Sequence, residues 1–161
     1  MAIISVAATM YAQTVASSAR LDPIAAETAT AVDAARVAIE SLRAQPVDQV
    51  VAMFDADPAN DPGGPGTAPG ARFSVAGLAP VAMGQFVGEF EFPMIDGRLA
   101  ENVNDELLGC PRDLNADGLV DAADHRDDWV ILPVRVRLEW MPRGGTTRSR
   151  SFELFTMLAR L

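Results

Sequence analysis

Hydrophobic and polar positions divide the chain into a helical first third and a strand-rich remainder. From Ala2 to about Phe54 the sequence is rich in Ala, lacks Gly, and holds one proline, Pro23, before Pro46. Its start is apolar nearly all round (Ala2, Ile3, Ile4, Val6, Ala7, Ala8, Met10). From residue 24 the pattern becomes two-faced: Ile24, Thr28, Ala31, Val32, Ala35, Ile39 and Leu42 recur at the spacing of one helical face. Small residues in the middle of that stripe let a sheet approach the helix backbone closely. Arg36 with Glu40, and Glu40 with Arg43, are spaced as helix-surface pairs. Asp22 reads as an N-cap and Pro23 as a first-turn proline, where the helix restarts or kinks. Gln45-Pro46 ends the regular helix, with Val47–Phe54 adding a further turn or two.

Asp55–Gly70 is dense in Pro, Gly and Asp and predicts an exposed loop. Beyond it the period changes to two. Arg72–Leu78 and Gln85–Phe92 read as strands, and Asp96-Gly97 inside Met94–Leu99 is a hairpin signal. Glu101–Leu108 is acidic and carries no clear period. Trp129–Trp140 alternates strictly: Val130, Leu132, Val134, Val136, Leu138 and Trp140 face one way, Ile131, Pro133, Arg135, Arg137 and Glu139 the other. Alternation of this kind predicts one buried and one wet face, and Pro133 on the wet side suggests an edge position or a bulge. After Pro142-Arg143-Gly144-Gly145 the chain returns as Arg148–Leu158, with Phe152, Leu154 and Leu158 on one face. A short Gly-rich turn between two strands predicts antiparallel pairing.

The 161 residues carry a formal net charge of −9 and a pI near 4.5, so phosphate backbones and anionic membrane surfaces are poor partners and no nucleic acid is expected. All basic residues are Arg. Cys110 is the single cysteine, so there is no internal disulfide or thiolate cluster. A single His, at 125, argues against a His-based triad or metal cluster. There is no P-loop and no Gly-x-Gly-x-x-Gly, and Ser149 and Ser151 sit on a strand without an elbow motif. No catalytic residue emerges, and a non-enzyme is expected.

One segment does carry chemistry. Over 113–124, Asp113, Asn115, Asp117, Asp121 and Asp124 place oxygen side chains at loop positions 1, 3, 5, 9 and 12, with Gly118 at position 6. This is the spacing of a twelve-residue calcium loop. Calcium is a hard cation that takes six to eight oxygens, and Leu119 supplies a backbone carbonyl at position 7. Val120 is the apolar residue expected to pin the loop to a core, and Asp127 and Asp128 lie just outside. The predicted ligand set for Ca2+ is Asp113, Asn115, Asp117, Leu119, Asp121 and Asp124. Asp-x-Asn-x-Asp-Gly-x-Val-x-x-x-Asp resembles a dockerin loop, which likewise has Asp rather than Glu at position 12. The resemblance covers these twelve residues only. Without a second loop it does not imply cohesin binding, and a structural role for the ion is expected.

Taken together, the arrangement resembles the type IV pilin and type II secretion pseudopilin family. Met1-Ala2-Ile3-Ile4-Ser5-Val6-Ala7-Ala8 is similar to the residues that come after that family's Phe-Thr-Leu-Ile-Glu-Val-Leu-Val-Ala signature. Residues 34–49 resemble the helix end of V-type minor pilins or pseudopilin I, and Val134–Trp140 with Ser151–Leu158 fits the same subgroup. The prepilin cleavage motif and its following Glu are not in the sequence. The resemblance implies roughly ten more apolar residues ahead of Met1, which with Ala2–Ala12 make about the 20 of a membrane span. A helix from Ala2 to Phe54 would be about 78 Å long if unbroken.

The fold class expected is α+β: a long N-terminal helix packed against a C-terminal antiparallel β-sheet, pilin-like. Residues 1–54 form the helix (membrane or filament-core half 1–22, sheet-packing half 23–54), 55–70 the loop, and 71–161 the β head with calcium loop 113–124. The function implied is a non-catalytic minor pilin or pseudopilin. It would partner other pilin or pseudopilin subunits through the helix and sit in the inner membrane before assembly. Its place is the bacterial cell envelope, with the head in the periplasm or in an extracellular filament. The alternative is a secreted, calcium-stabilised β-rich binding module, with a signal peptide cleaved near Ser17–Ala19, although no basic residues precede the apolar run.

Overall fold

The computed structural model describes residues 24–143 and 148–160. The helix expected over Ala2–Arg20, the break at Asp22-Pro23 and the Gly144-Gly145 turn lie outside the described residues. Within them the chain is mixed α and β. Helix α1 covers 24–43, a 3-10 turn Val47–Gln49 follows, and α2 is Val50–Phe54. The strands are β1 (Arg72–Phe73), β2 (Gly88–Glu91), β3 (Met94–Ile95), β4 (Arg98–Leu99), β5 (Ile131–Trp140) and β6 (Arg150–Ala159). The main sheet is antiparallel throughout, in the order β1-β2-β5-β6, and β3-β4 is a separate hairpin. No helix among the described residues is long and apolar enough to cross a membrane.

The alternation in β5 produces the core. Leu132, Val134, Val136 and Leu138 have no solvent exposure, and Trp140 has 2%. β6 pairs with β5 along its whole length, from Ile131↔Ala159 to Trp140↔Arg150. Pro133 is not in a bulge, but it has a strand neighbour only on the β6 side, so the other side is a local edge as expected. The Glu139 amide donates to Val87 and the Val130 carbonyl accepts from Arg160, so the odd positions of β5 direct their backbone groups toward β2. β2 pairs only as far as Glu91↔Arg135. The missing N–H of Pro133 therefore points beyond the end of β2, where no ladder bond is lost. Pro133 is also buried rather than wet. The stretch after Glu101 crosses that outer face, with Asp105 paired to Arg135 at 3.1 Å and the Arg112 guanidinium 3.8 Å from the Met157 sulfur.

α1 lies on the core face and runs counter to β5. Near its start, Glu27 reaches Trp140 and Arg143; at its end, the Arg43 guanidinium donates to the Thr156 hydroxyl, opposite Val134. From Glu27 to Arg43 the helix rises about 24 Å; from Trp140 back to Val134 the strand covers about 20 Å. Ala31, Ala35 and Leu42 have no exposure, with Ala38 and Ile39 nearly buried. Small side chains at 31, 35 and 38 let the helix backbone settle close to the sheet. Phe54 of α2 and Phe73 of β1 both pack tilted against Phe90, with centroids 4.7 Å and 5.2 Å away, and close the core beside the helix end. On the wet face Arg43 pairs with Glu40, whereas Arg36 turns to Asp33 rather than Glu40.

Other strands are shorter than their pattern suggests. β1 stops at Phe73, because Val75–Leu78 closes a turn in which the Leu78 amide donates to Val75. The hairpin forms as its turn signal predicts: Asp96 and Gly97 both take positive φ, 50° and 75°, as a two-residue type I′ turn requires.

Glu27 is a buried carboxylate on a helix face otherwise lined with Ala, Ile and Leu. It accepts the Trp140 indole N–H at 3.3 Å and the Arg143 amide at 2.8 Å. Replacing Glu27 with Ala leaves buried donors without an acceptor and is expected to destabilise the protein by about 1–3 kcal/mol. Arg36→Ala, on the exposed face, should stay within about 0.5 kcal/mol. Chemical denaturation of the two variants beside wild type checks both figures.

Candidate metal centre

The loop 113–124 folds around a short piece of extended chain, Leu99–Asn102, and backbone bonds fix the two together. Leu99 accepts from the His125 amide at 2.8 Å, Glu101 accepts from Arg112 at 2.9 Å, and Asn102 donates to Asp121 at 3.1 Å. At the centre stands the Glu101 side chain, 1% exposed. One of its oxygens accepts the Leu114 and Asn115 amides at 2.6 and 3.2 Å, and the other accepts the Asp121 amide at 3.2 Å. A single carboxylate thus holds both the beginning and the end of the loop. The loop is tied to the sheet through Leu114, which is fully buried and whose carbonyl accepts the Val130 and Ile131 amides at the start of β5. Val120, expected to pin the loop, is instead 48% exposed; the anchor is Leu114.

The predicted oxygen donors line this loop. Asp113 accepts the Ala116 amide at 2.6 Å and the Gly118 amide at 2.8 Å. Asn115 accepts from Asp117, and Asp117 from Leu119. Gly118 takes φ +86°, which only Gly adopts at little cost, and Ala116 is held at +64°. These bonds curl the backbone about Asp113 and give 113–119 the tight turn that a cation loop needs. Asp124 is engaged elsewhere, with one oxygen on the Leu99 amide at 3.1 Å.

A different group converges most closely. Glu101, Asp121 and His125 bring one ligand atom each to within 4.8 Å of one another, and together they can hold a metal ion. Asp121 is the one member of the predicted set that takes part; Asp113, Asp117 and Asp124 do not join it. His125 is 4% exposed. Its Nε2 lies 3.1 Å from Asp121 Oδ1 and 3.7 Å from Glu101 Oε2, and its Nδ1 lies 3.1 Å from Asp128 Oδ1. His125 is the single imidazole of this group, and carboxylates flank its ring on both nitrogens. The 121/125/128 spacing was visible in the sequence. Glu101 was not, since its partners are backbone amides 13 to 20 positions away.

Electrostatics follow from this packing. Burial acts most strongly on His125 and opposes its charged form, but the hydrogen bonds to Asp121 and Asp128 and the Glu101 charge outweigh it, so its pKa lies above the ordinary imidazole value. Asp121 is shifted down, by the Ala123 amide first and by His125 second. Burial raises the Cys110 thiol, with Arg112 opposing and Asp105 adding to the shift, so this buried cysteine is a poor nucleophile.

A raised histidine pKa contributes stability that is fully present below about pH 6.5 and is lost as pH rises through the higher folded value. The lowered Asp121 contributes above about pH 3.9 and loses that contribution as pH falls through its lower folded value. In chelator-treated protein, the melting-temperature gap between wild type and His125→Gln should therefore be widest between about pH 4 and 6.5 and shrink toward alkaline pH. A gap that stays constant from about pH 4 to well above the raised histidine pKa would show that the charged cluster does not form.

No family model, no curated protein and no solved structure matches the chain.

Proposed function

We propose that this protein is a non-catalytic, pilin-like structural subunit whose β head is fastened by calcium in the loop 113–124. The observation that carries the reading is the seating of α1. The helix is already formed at residue 24, lies lengthwise on the dry face of the sheet, and presents small residues to it. The sequence ahead of it, Ala2–Met10, is apolar nearly all round. A helix that holds a sheet and is preceded in sequence by an apolar segment suits a subunit that is stored in a membrane and then packed among identical copies. Other pilin or pseudopilin subunits are its partners in this reading, and the inner membrane and cell envelope its location.

Calcium is supported by the donor chemistry. Asp113, Asn115, Asp117, the Leu119 carbonyl, Asp121 and Asp124 are all oxygen ligands, and the turn through Gly118 is one that the calcium-loop spacing demands. Asp113, Asp117, Asp121 and Asp124 crowd negative charge on one short segment with no Arg among its twelve residues. A divalent cation there would offset their repulsion and stiffen the connection into β5.

Two measurements test the two halves. Calcium at about a hundredfold its dissociation constant should stabilise the protein by about 2.7 kcal/mol, a rise in Tm of about 5–10 °C. Asp117→Ala should abolish that rise, and no rise in millimolar calcium would exclude the metal. For the filament, the mass of the N-terminal peptide recovered from cells decides. Retention of Ala2–Arg20 in a membrane or filament fraction is expected. Cleavage after Ala19 with release of soluble protein would favour the secreted binding module instead.

A further inference from the structure

We propose a second cation site, for a zinc-class divalent ion, formed by Glu101 Oε2, Asp121 Oδ1 and His125 Nε2. It is separate from the calcium loop but shares Asp121 with it. The argument starts from spacing. Ligands at about 2.0–2.2 Å on a tetrahedral ion stand about 3.3–3.6 Å from each other. His125 Nε2 is 3.1 Å from the Asp121 oxygen and 3.7 Å from the Glu101 oxygen, values that fall on either side of that figure. The longer separation exceeds a hydrogen bond and is too short to hold a water between the atoms. An ion fits where Nε2 now faces the two oxygens, since all three ligand atoms lie within 4.8 Å of one another and exposed Asp121 is free to adjust.

The surroundings are those of a metal ligand set rather than of an acidic surface. The imidazole is oriented from behind by Asp128 Oδ1 on Nδ1 at 3.1 Å, the carboxylate–histidine pairing that fixes the tautomer and raises ligand basicity at metal sites. Glu101 is oriented by three backbone amides, and its Oε2 accepts only one of them, which leaves a lone pair for the ion. Imidazole nitrogen in the set favours zinc over calcium or magnesium, which take oxygen ligands. Asp121, with its side chain 49% exposed, opens the site to solvent and provides both the entry path and room for a water as the fourth ligand. Bound there, the ion adds a link between Glu101 Oε2 and His125 Nε2, now 3.7 Å apart, to the Asp121 amide bond that already holds Glu101 to the end of the loop.

Calorimetric titration of zinc into the full chain, with calcium present, tests this. One zinc per chain is expected. Asp128→Asn, an exposed change, should weaken it about 10–100-fold, and His125→Gln should abolish it. Asp117→Ala should remove the calcium response while one zinc per chain still binds, so the two sites fail separately. Absence of zinc binding, or affinity unaltered in both Asp128→Asn and His125→Gln, would overturn the proposal. Should His125→Gln fail to fold, unchanged affinity in Asp128→Asn alone overturns it.

Discussion

The dry face of β5 is the constraint on which the other elements depend. Leu132, Val134, Val136, Leu138 and Trp140 offer a continuous apolar strip with almost no exposure, and each aliphatic side chain so buried contributes about 1.5–3 kcal/mol. A single strand cannot cover its own face. β6 and β2 extend the sheet to either side, and α1 covers the strip from above. The helix can do so because Ala31 and Ala35 add almost no bulk between its backbone and the sheet. Larger side chains at those positions would push the helix off the strip and open space that neither β2 nor β6 could fill.

Two buried carboxylates stand at opposite ends of this strand. Glu27 closes the Trp140 end by accepting an indole and a backbone amide. Glu101 closes the Ile131 end through Leu114, whose amide it accepts and whose carbonyl caps the first amides of β5. Neither relies on a hydrogen bond from an Arg side chain. Both charges are met by N–H groups of the backbone or of indole, which are fixed by the fold and cost no long side-chain ordering. Removing either carboxylate would leave its donors buried and unmet, so each end of the core depends on one acceptor in a way that its aliphatic middle does not.

How much of this was legible in the sequence differs by element for physical reasons. β5 and β6 could be read because a face buried on one side imposes strict alternation, and α1 because a face buried on a sheet imposes a helical stripe. Ala31, Ala35, Ile39 and Leu42 are all where that stripe placed them. Glu27 was missed, since a charged residue among Ala positions reads as solvent-facing unless its acceptor role is known. The 72–78 strand was overestimated: Phe73 and Val75 have strand character, but the partner β2 pairs only Gly88 and Glu89 with β1. In the loop, the oxygen spacing was legible because it is local. Glu101 was not, because backbone amides carry no side-chain signature, and Leu114 was passed over for Val120 because the loop pattern says which residues can bind a cation, not which way the loop leans on the core.

That last difference bears on how the loop works. A loop pinned at Val120 would be anchored on its far side and free at its start. Pinned at Leu114, it is fixed where it enters, and its far side, Leu119 through Ala123, stays exposed. Glu101 then holds the exit only through one 3.2 Å bond from Asp121, against two bonds at the entrance. The exit is where His125, Asp128 and Asp121 gather. Cations at Asp121, whether on the loop side or the His125 side, would therefore act on the end of the loop that lies outside the core and carry their effect through Leu99 and Glu101 to the start of β5. The entrance needs no such reinforcement, because Leu114 is already part of the core.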